Sequence, residues 1–346
     1  MLTVGDCLGI DASTIVQSPT YIQYRHLSKP LRNKCFKGVL LRYSVNTLKK
    51  HVPYAHKYFK FCLESSFPTL PVDQCCLELF LIQSRDDGKS KTCLNSFIFA
   101  VNFVTSIFGY SKNFSVTFRH ITRYLDKFSV VRKLNRKGFR KDSLVVLWNR
   151  IFNAGGFKCL TKLELRSFVM VNFCYYTLSR FDCITKIRLV DLHFEDDYFK
   201  VLISSSKTDQ NAEGQYVFLP KKSSYCPFKL LCNYIHIFDF DNMQNPFLFP
   251  PLKWNKSAKS WSPCDGKPVS YSVAYKGFKS LLVKFNMSPS NLSLHSFRIG
   301  ATTDAFEAEM PDHIIDRRGR WKNPKTKYSY VKNPDEDIVK CLQKLT

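Results

Sequence analysis

The sequence runs to 346 residues, enough for about two domains of ordinary size, and its 45% hydrophobic and 15% aromatic content supplies packed cores, which excludes a wholly disordered chain. Lys and Arg number 52 against 28 Asp and Glu, a formal charge of +24 that exceeds what solubility needs and repels itself without a polyanionic partner. Residues 1–140 carry 22 basic and 8 acidic side chains and residues 141–346 carry 30 and 20, so both halves are basic; nucleic acid is the first partner to consider, an anionic membrane surface is the alternative, and two positive surfaces around a duplex suit the distribution.

Residues 1–40 show weak periodicity around Pro19 and Pro30 and are expected to form an extended or partly ordered arm. From Tyr43 the pattern turns helical, with Leu48, Val52, Ala55, Phe59, Cys62 and Leu63 at steps of three and four, and Pro53 predicts a kink or a late start. A second helix is expected over Val72–Ser84, before the Asp87-Gly88 turn. Ser90 then caps a third, whose apolar face is Leu94, Phe97, Ile98, Val101, Val104 and Phe108, and a fourth covers Val116 to about Val131. Residues 41–131 thus read as a small helical bundle.

The basic run 132–141 loses apolar periodicity while gaining Gly and charge, which marks a domain boundary. It reads as a solvated linker, or as a linker lying along phosphates or a nuclear-import signal. Beyond it, Asp142 or Ser143 can cap a helix through Phe152, and Leu160 to about Leu178 reads as a buried helix. Three β-rich runs follow at Thr185–Leu192, Tyr198–Ser204 and Gln215–Leu219. The chain then returns to helices near Pro227–Phe238, Val273–Phe285, Leu294–Glu309, Asp312–Arg317 and Asp335–Leu345. The whole is mainly α with a small antiparallel β-sheet.

Thirteen cysteines form no C-x-x-C pair, so neither a disulfide scaffold nor a zinc site finds support in the spacing, and Cys226, Cys232 and His236 read as packed side chains at helical spacing. Reduced cysteines suggest an intracellular protein. The opening residues MLTVGDCLGIDAST lack a basic stretch followed by an apolar one, and no uncharged apolar run approaches the length of a membrane span.

The residues that carry chemistry are ordinary one at a time. Arg180 follows a buried helix, Lys207 lies in a turn after a strand, His295 and Arg298 form an H-x-x-R on one helical face, and Trp321, Tyr328 and Tyr330 could each be aromatic core. Their order carries more. Tyr175-Tyr176-Thr177-Leu178-Ser179-Arg180 stands where the tyrosine recombinase (phage-integrase) family often has Y-x-T-G-L-R, and Ser206-Lys207-Thr208 resembles its hairpin lysine. Leu294-His295-Ser296-Phe297-Arg298 is similar to its H-x-L-R, Gly319-Arg320-Trp321 falls where it usually has L-G-H, and Tyr330, nine residues beyond Trp321, holds the place of its nucleophile. Ser44-Val45-Asn46-Thr47 and Gly88-Lys89-Ser90-Lys91-Thr92 resemble the start and the middle turn of its core-binding domain. Where the family commonly has an acid three residues after the first arginine this chain has Cys183, with Asp182 displaced, and Ile299 replaces the usual basic residue after H-x-x-R.

The resemblance implies a helical core-binding domain followed by a catalytic domain over 142–346, and a site made of Arg180, Lys207, His295, Arg298, Trp321 and Tyr330 that cleaves and rejoins DNA through a 3′-phosphotyrosine. The chemistry fits these residue types. A phenol can store the phosphodiester bond as an ester, two guanidinium forks can hold non-bridging oxygens, Lys207 would protonate the departing 5′-hydroxyl, and His295 would exchange the nucleophile's proton. Trp321 offers an indole N–H and a packing face. No metal or other cofactor is implied, since no Asp/Glu cluster accompanies these cations. Tyr328 is the rival nucleophile, pointing to the opposite side of a helix from Tyr330. The expected partner is double-stranded DNA, and the apolar face Ile338, Cys341, Leu342 and Leu345 either packs on its own domain or docks on a neighbouring protomer, as in a homo-tetramer on DNA. The resemblance further suggests integration or recombination for a mobile element or virus, in the nucleus if the host is eukaryotic. A type IB topoisomerase or resolvase, or a catalytically inactive DNA-binding protein of the same fold, are the alternatives.

Overall fold

The structure, a computed structural model, describes residues 8, 10–43, 45–110, 115–128, 137–204, 206, 209, 213–222, 224–240, 246–256, 259–264, 266–321 and 323–331. Lys207, residues 132–136 of the basic run and the expected helix at 335–345 lie outside these. Contacts divide the chain into two units, Met1–Lys133 and Leu134–Thr346. No helix of the described residues is long and apolar enough to cross a membrane.

The first unit is built of α1 (Ala12–Val16), α2 (Pro19–Tyr24), α3 (Lys29–Leu41), α4 (Val45–Glu64), α5 (Gln74–Asp86), α6 (Lys91–Ile107) and α7 (Val116–Phe128). The expected extended arm is therefore largely helical, and its prolines fit helix starts. Pro19 and Pro30 occupy the first turns of α2 and α3, where a missing N–H breaks no intrahelical bond. Asp11 caps α1 through the Thr14 N–H, and Ser18 caps α2 through Tyr21. Pro53 lies inside the continuous helix α4. Ser90 caps α6 as its position predicts, accepting from the Cys93 N–H. The core of this unit is aromatic, with Phe80 edge-on to Phe97 at 4.8 Å and to Tyr58 at 5.5 Å.

The second unit opens on Lys137–Arg140, which is not a solvated linker. Phe139 is buried among Phe278 and Phe297, and its N–H donates to the Ser296 carbonyl at 2.8 Å. Then come α8 (Lys141–Asn153), α9 (Lys162–Thr177) and the short α10 (Phe181–Ile184). A Thr161/Glu164 capping box starts α9, which is buried on every side from Leu165 to Tyr175 and forms the spine of the unit. Strands β1 (Leu192–Phe194), β2 (Tyr198–Ile203) and β3 (Gln215–Pro220) make one antiparallel sheet in the order 1-2-3, with Val201 opposite both Leu192 and Val217. Most of the run expected as a first strand, Thr185–Asp191, is not strand. Asp191 caps Arg188 in a 3₁₀ turn, and the backbone of Ile187 and Leu189 pairs with residues 246–248 instead. The chain continues through α11 (Pro227–Phe238), the hairpin β4 (Leu252–Asn255) and β5 (Ser260–Pro263), which the sequence did not suggest, and then α12 (Tyr271–Lys284), α13 (Ser296–Glu307), α14 (Asp312–Gly319) and α15 (Lys325–Tyr328). Buried Cys226 begins α11, its Sγ accepting from the N–H groups of Lys222 and Lys229.

Candidate active site

Two chain reversals in the left-handed region shape the site. Leu178, which ends α9, has φ 51°, and Arg320, which ends α14, has φ 53°. Both positions correspond to glycines in the motifs quoted above, and a non-glycine residue there costs about 1–3 kcal/mol that the surrounding packing must offset. The reversals direct two carbonyls at one guanidinium: Arg298 on the first turn of α13 donates through Nη1 to Leu178 and through Nη2 to Gly319 at 2.7 Å. Arg298 is fully buried, and its Nε has no partner among the described residues.

Trp321 and Tyr330 converge on that guanidinium, whose carbon stands 4.3 Å from the Trp321 ring centre and 5.1 Å from that of Tyr330. The Tyr330 ring is flanked by His295 at 5.2 Å and Trp321 at 5.6 Å. Trp321 fits because residue 319 is glycine; a Cβ there would overlap the indole. Tyr330 lies in the turn after α15, its N–H bonded to the Lys327 carbonyl at 2.9 Å and its own carbonyl accepting from Thr303 Oγ1 on α13. Lys327, itself buried, anchors α15 through ion pairs to the partly exposed Asp316 at 3.0 Å and the exposed Asp312 at 3.2 Å. Tyr328 faces elsewhere, with its hydroxyl on Asp312 at 3.1 Å and its ring against Phe306, and it is exposed.

Arg180 is half-buried at the start of α10 and acts electrostatically on this group. Burial first, and the charge of Arg180 second, push Arg298 down to about 9. Burial likewise lowers Arg320. The charges of Arg180, Arg298 and Arg320 act on one another, which raises the cost of each and favours an anion among them. Lys207 itself is outside the described residues; its neighbours Ser206 and Asp209 bridge each other and line a cavity of about 400 Å³ that Arg320 and Trp321 also line. Among the described residues no three His, Cys, Asp or Glu side chains are grouped to hold a metal.

Residues 156–337 match the phage integrase family. The chain belongs to that family. No curated protein matches it, but solved structures share its fold along nearly its whole length. XerH site-specific recombinase bound to palindromic difH substrate, in a post-cleavage complex, is 12% identical with a TM-score of 0.62, over 98% of this chain and 92% of that one. The Tn1549 transposon integrase with a circular intermediate DNA is 12% identical, TM-score 0.56, over 96% and 99%. A lambda integrase dimer bound to a COC′ core site is 14% identical, TM-score 0.51, over 90% and 85%. The integrase fold, a helical core-binding domain and a mainly helical catalytic domain with small antiparallel sheets, is thus the fold of this chain.

The sequence left out two features of the site. Arg320 went unweighted because it stands at a motif glycine; an arginine at that place, next to Trp321, was the available signal. The second is the support behind α13, where Asp304 receives the Tyr175 hydroxyl at 2.5 Å, the Lys141 N–H at 2.7 Å and the Arg140 guanidinium.

Proposed function

We propose that this integrase-family chain is an active DNA strand breaking and rejoining enzyme, a site-specific recombinase. The observation that carries the reading is the convergence of Arg298, His295, Trp321 and Tyr330, from three separate segments, with Arg180 close enough to act on Arg298. Tyr330 Oη attacks the phosphorus of a backbone phosphodiester, the P–O5′ bond breaks, and the DNA 3′ end stays on the enzyme as a phosphotyrosine ester. Arg180 and Arg298 stabilise the negative charge that grows on the non-bridging oxygens. His295 exchanges the phenolic proton, Lys207 delivers a proton to the leaving 5′-oxygen, and Trp321 holds ring and guanidinium in place. Attack by a second 5′-hydroxyl reverses the chemistry and joins the exchanged strand. No metal is required by this scheme.

Residues 41–131 act as the core-binding domain on double-stranded DNA, residues 142–346 as the catalytic domain, and residues 335–345 join protomers in a homo-tetramer on DNA, acting inside the cell and, in a eukaryotic host, in the nucleus. Incubation with nicked suicide duplexes carrying a randomised site tests the reading. Denaturant-resistant protein–DNA adducts are expected from the wild-type chain and from Tyr328→Phe, and not from Tyr330→Phe. An adduct that persists in Tyr330→Phe overturns the assignment.

The engagement of both Arg298 terminal nitrogens by backbone carbonyls favours a second reading, a DNA-binding protein of this fold without cleavage. Salt-sensitive binding with no adduct from the wild-type chain selects it.

A further inference from the structure

We infer that Arg320 is a third phosphate-gripping arginine of this site, one that touches the scissile phosphate alongside Arg180 and Arg298. The inference rests on the proposed cleavage reaction and deepens it.

Three observations carry it. Arg320 is 8% exposed and lines the cavity of about 400 Å³ that Ser206, Asp209 and Trp321 also line. Its Nη2 donates to Ser179 Oγ at 3.2 Å, beside Arg180, while Nη1 is buried with no hydrogen-bond partner. Three carboxylates also line the cavity, Asp209, Glu213 and Asp316: Asp209 accepts the backbone N–H groups of Glu213 and Gly214, and Asp316 bonds Lys327 through Oδ2 while its Oδ1 is buried without a hydrogen-bond partner. A buried, charged nitrogen without an acceptor is costly, and a native structure tolerates it where a ligand supplies the acceptor.

The neighbours narrow the ligand to an anion. Arg180 and Arg298 both act on Arg320's surroundings with like charge, and the indole Nε1 of Trp321 is a second buried donor without a partner. Ser179 and the Cys183 thiol serve part of the Arg320 guanidinium, and the donors left over, Arg320 Nη1 and Trp321 Nε1, suit an oxyanion with several oxygens. A tetrahedral phosphate presents two non-bridging oxygens to such a cluster. Each terminal nitrogen of Arg298 already gives one of its two hydrogens to a carbonyl, so Arg320 adds donors to those that Arg298 has left. The left-handed backbone at residue 320 is retained in this chain for a side chain that a glycine cannot provide.

The test compares wild type, Arg320→Gly and Arg320→Lys on the nicked duplex recovered by covalent capture. Glycine adopts the left-handed conformation without strain, and lysine keeps the charge while losing the fork. The rate of adduct formation should fall about 10²-fold in Arg320→Gly, with duplex affinity little changed. On a duplex carrying a neutral methylphosphonate at the scissile position the difference between wild type and Arg320→Gly should vanish. Equal rates on the phosphate duplex overturn the inference, as does a penalty that persists with methylphosphonate or disappears only when an adjacent phosphate is replaced. If the wild-type chain forms no adduct, the cleavage reading fails instead. Stabilisation by inorganic phosphate then decides for Arg320: a rise in Tm over equal ionic strength of chloride in wild type, lost in Arg320→Gly, supports anion binding by Arg320, and an equal rise in both rejects it.

Discussion

Substitution of Gly300 by alanine isolates the contact that ties the end of the basic run to the helix bearing Arg298. A Cβ at residue 300 would fall inside the Phe139 carbonyl group and 2.8 Å from the Phe139 nitrogen, so backbone and not a mobile side chain must move. In an exposed helix the change would gain about 1 kcal/mol of helix propensity. Here it breaks the buried Phe139 N–H to Ser296 bond, worth about 1–3 kcal/mol when the donor is left unpaired. It also displaces Phe139 from Phe278 and Phe297, and overpacking of this kind costs about 1–3 kcal/mol. A net loss of about 2–4 kcal/mol follows, equivalent to a urea midpoint lower by about 1 M. All four tryptophans, Trp148, Trp254, Trp261 and Trp321, lie in the second unit, so their fluorescence reads its unfolding alone. A Gly300→Ala midpoint equal to or above wild type refutes the packing described for residues 137–141.

Three further outcomes are expected. Gly319→Ala drives the indole of Trp321 out of its place over Arg298 and beside Tyr330, and a misplacement near 1 Å should slow adduct formation about 10²-fold while duplex binding holds; an unchanged initial rate shows that Trp321 does not need that position. In the first unit, burial first, and the Cys62 and Cys76 thiols after it, raise Tyr58 above its ordinary 10.0. The folded state therefore keeps a proton that the unfolded state releases, and the stability is whole below pH 10 and lost as pH rises further. Urea midpoints by circular dichroism from pH 8 to 11 should fall less steeply in Tyr58→Phe, and parallel curves contradict this. With a formal charge of +24, duplex binding should weaken about 10³–10⁵-fold between 50 and 200 mM salt if six to ten phosphates are neutralised, and a flat response rules out a phosphate-dominated interface.

Legibility followed the physics of each segment. Helices with a continuous apolar stripe, such as α6 with Leu94, Phe97, Val101 and Val104 buried, announced themselves because burial on one face writes a period of 3.6. The ordered set from Arg180 to Tyr330 was legible through its resemblance to the family's motifs, and the family match covers it. The first 40 residues hide their helices because the apolar periodicity is weak and Pro19 and Pro30 stand at helix starts. The run Thr185–Leu192 alternates like a strand, yet Asp191 turns it into a loop before β1. The β4–β5 hairpin gave no signal, being two four-residue strands whose cross-strand pair is Trp254 and Trp261. Helical spacing would set Tyr330 opposite Tyr328; Tyr330 lies in a turn, and the two part because α15 ends at Tyr328.

Trypsin cuts after Lys327 and Lys332, so one peptide, Tyr328-Ser329-Tyr330-Val331-Lys332, holds both candidate nucleophiles. Mass spectrometry of that peptide from nuclease-trimmed adducts, with fragmentation to place the added nucleotide, puts the 3′-phosphate ester on Tyr330 if the site works as proposed. A nucleotide on Tyr328, or on any peptide outside this one, contradicts it.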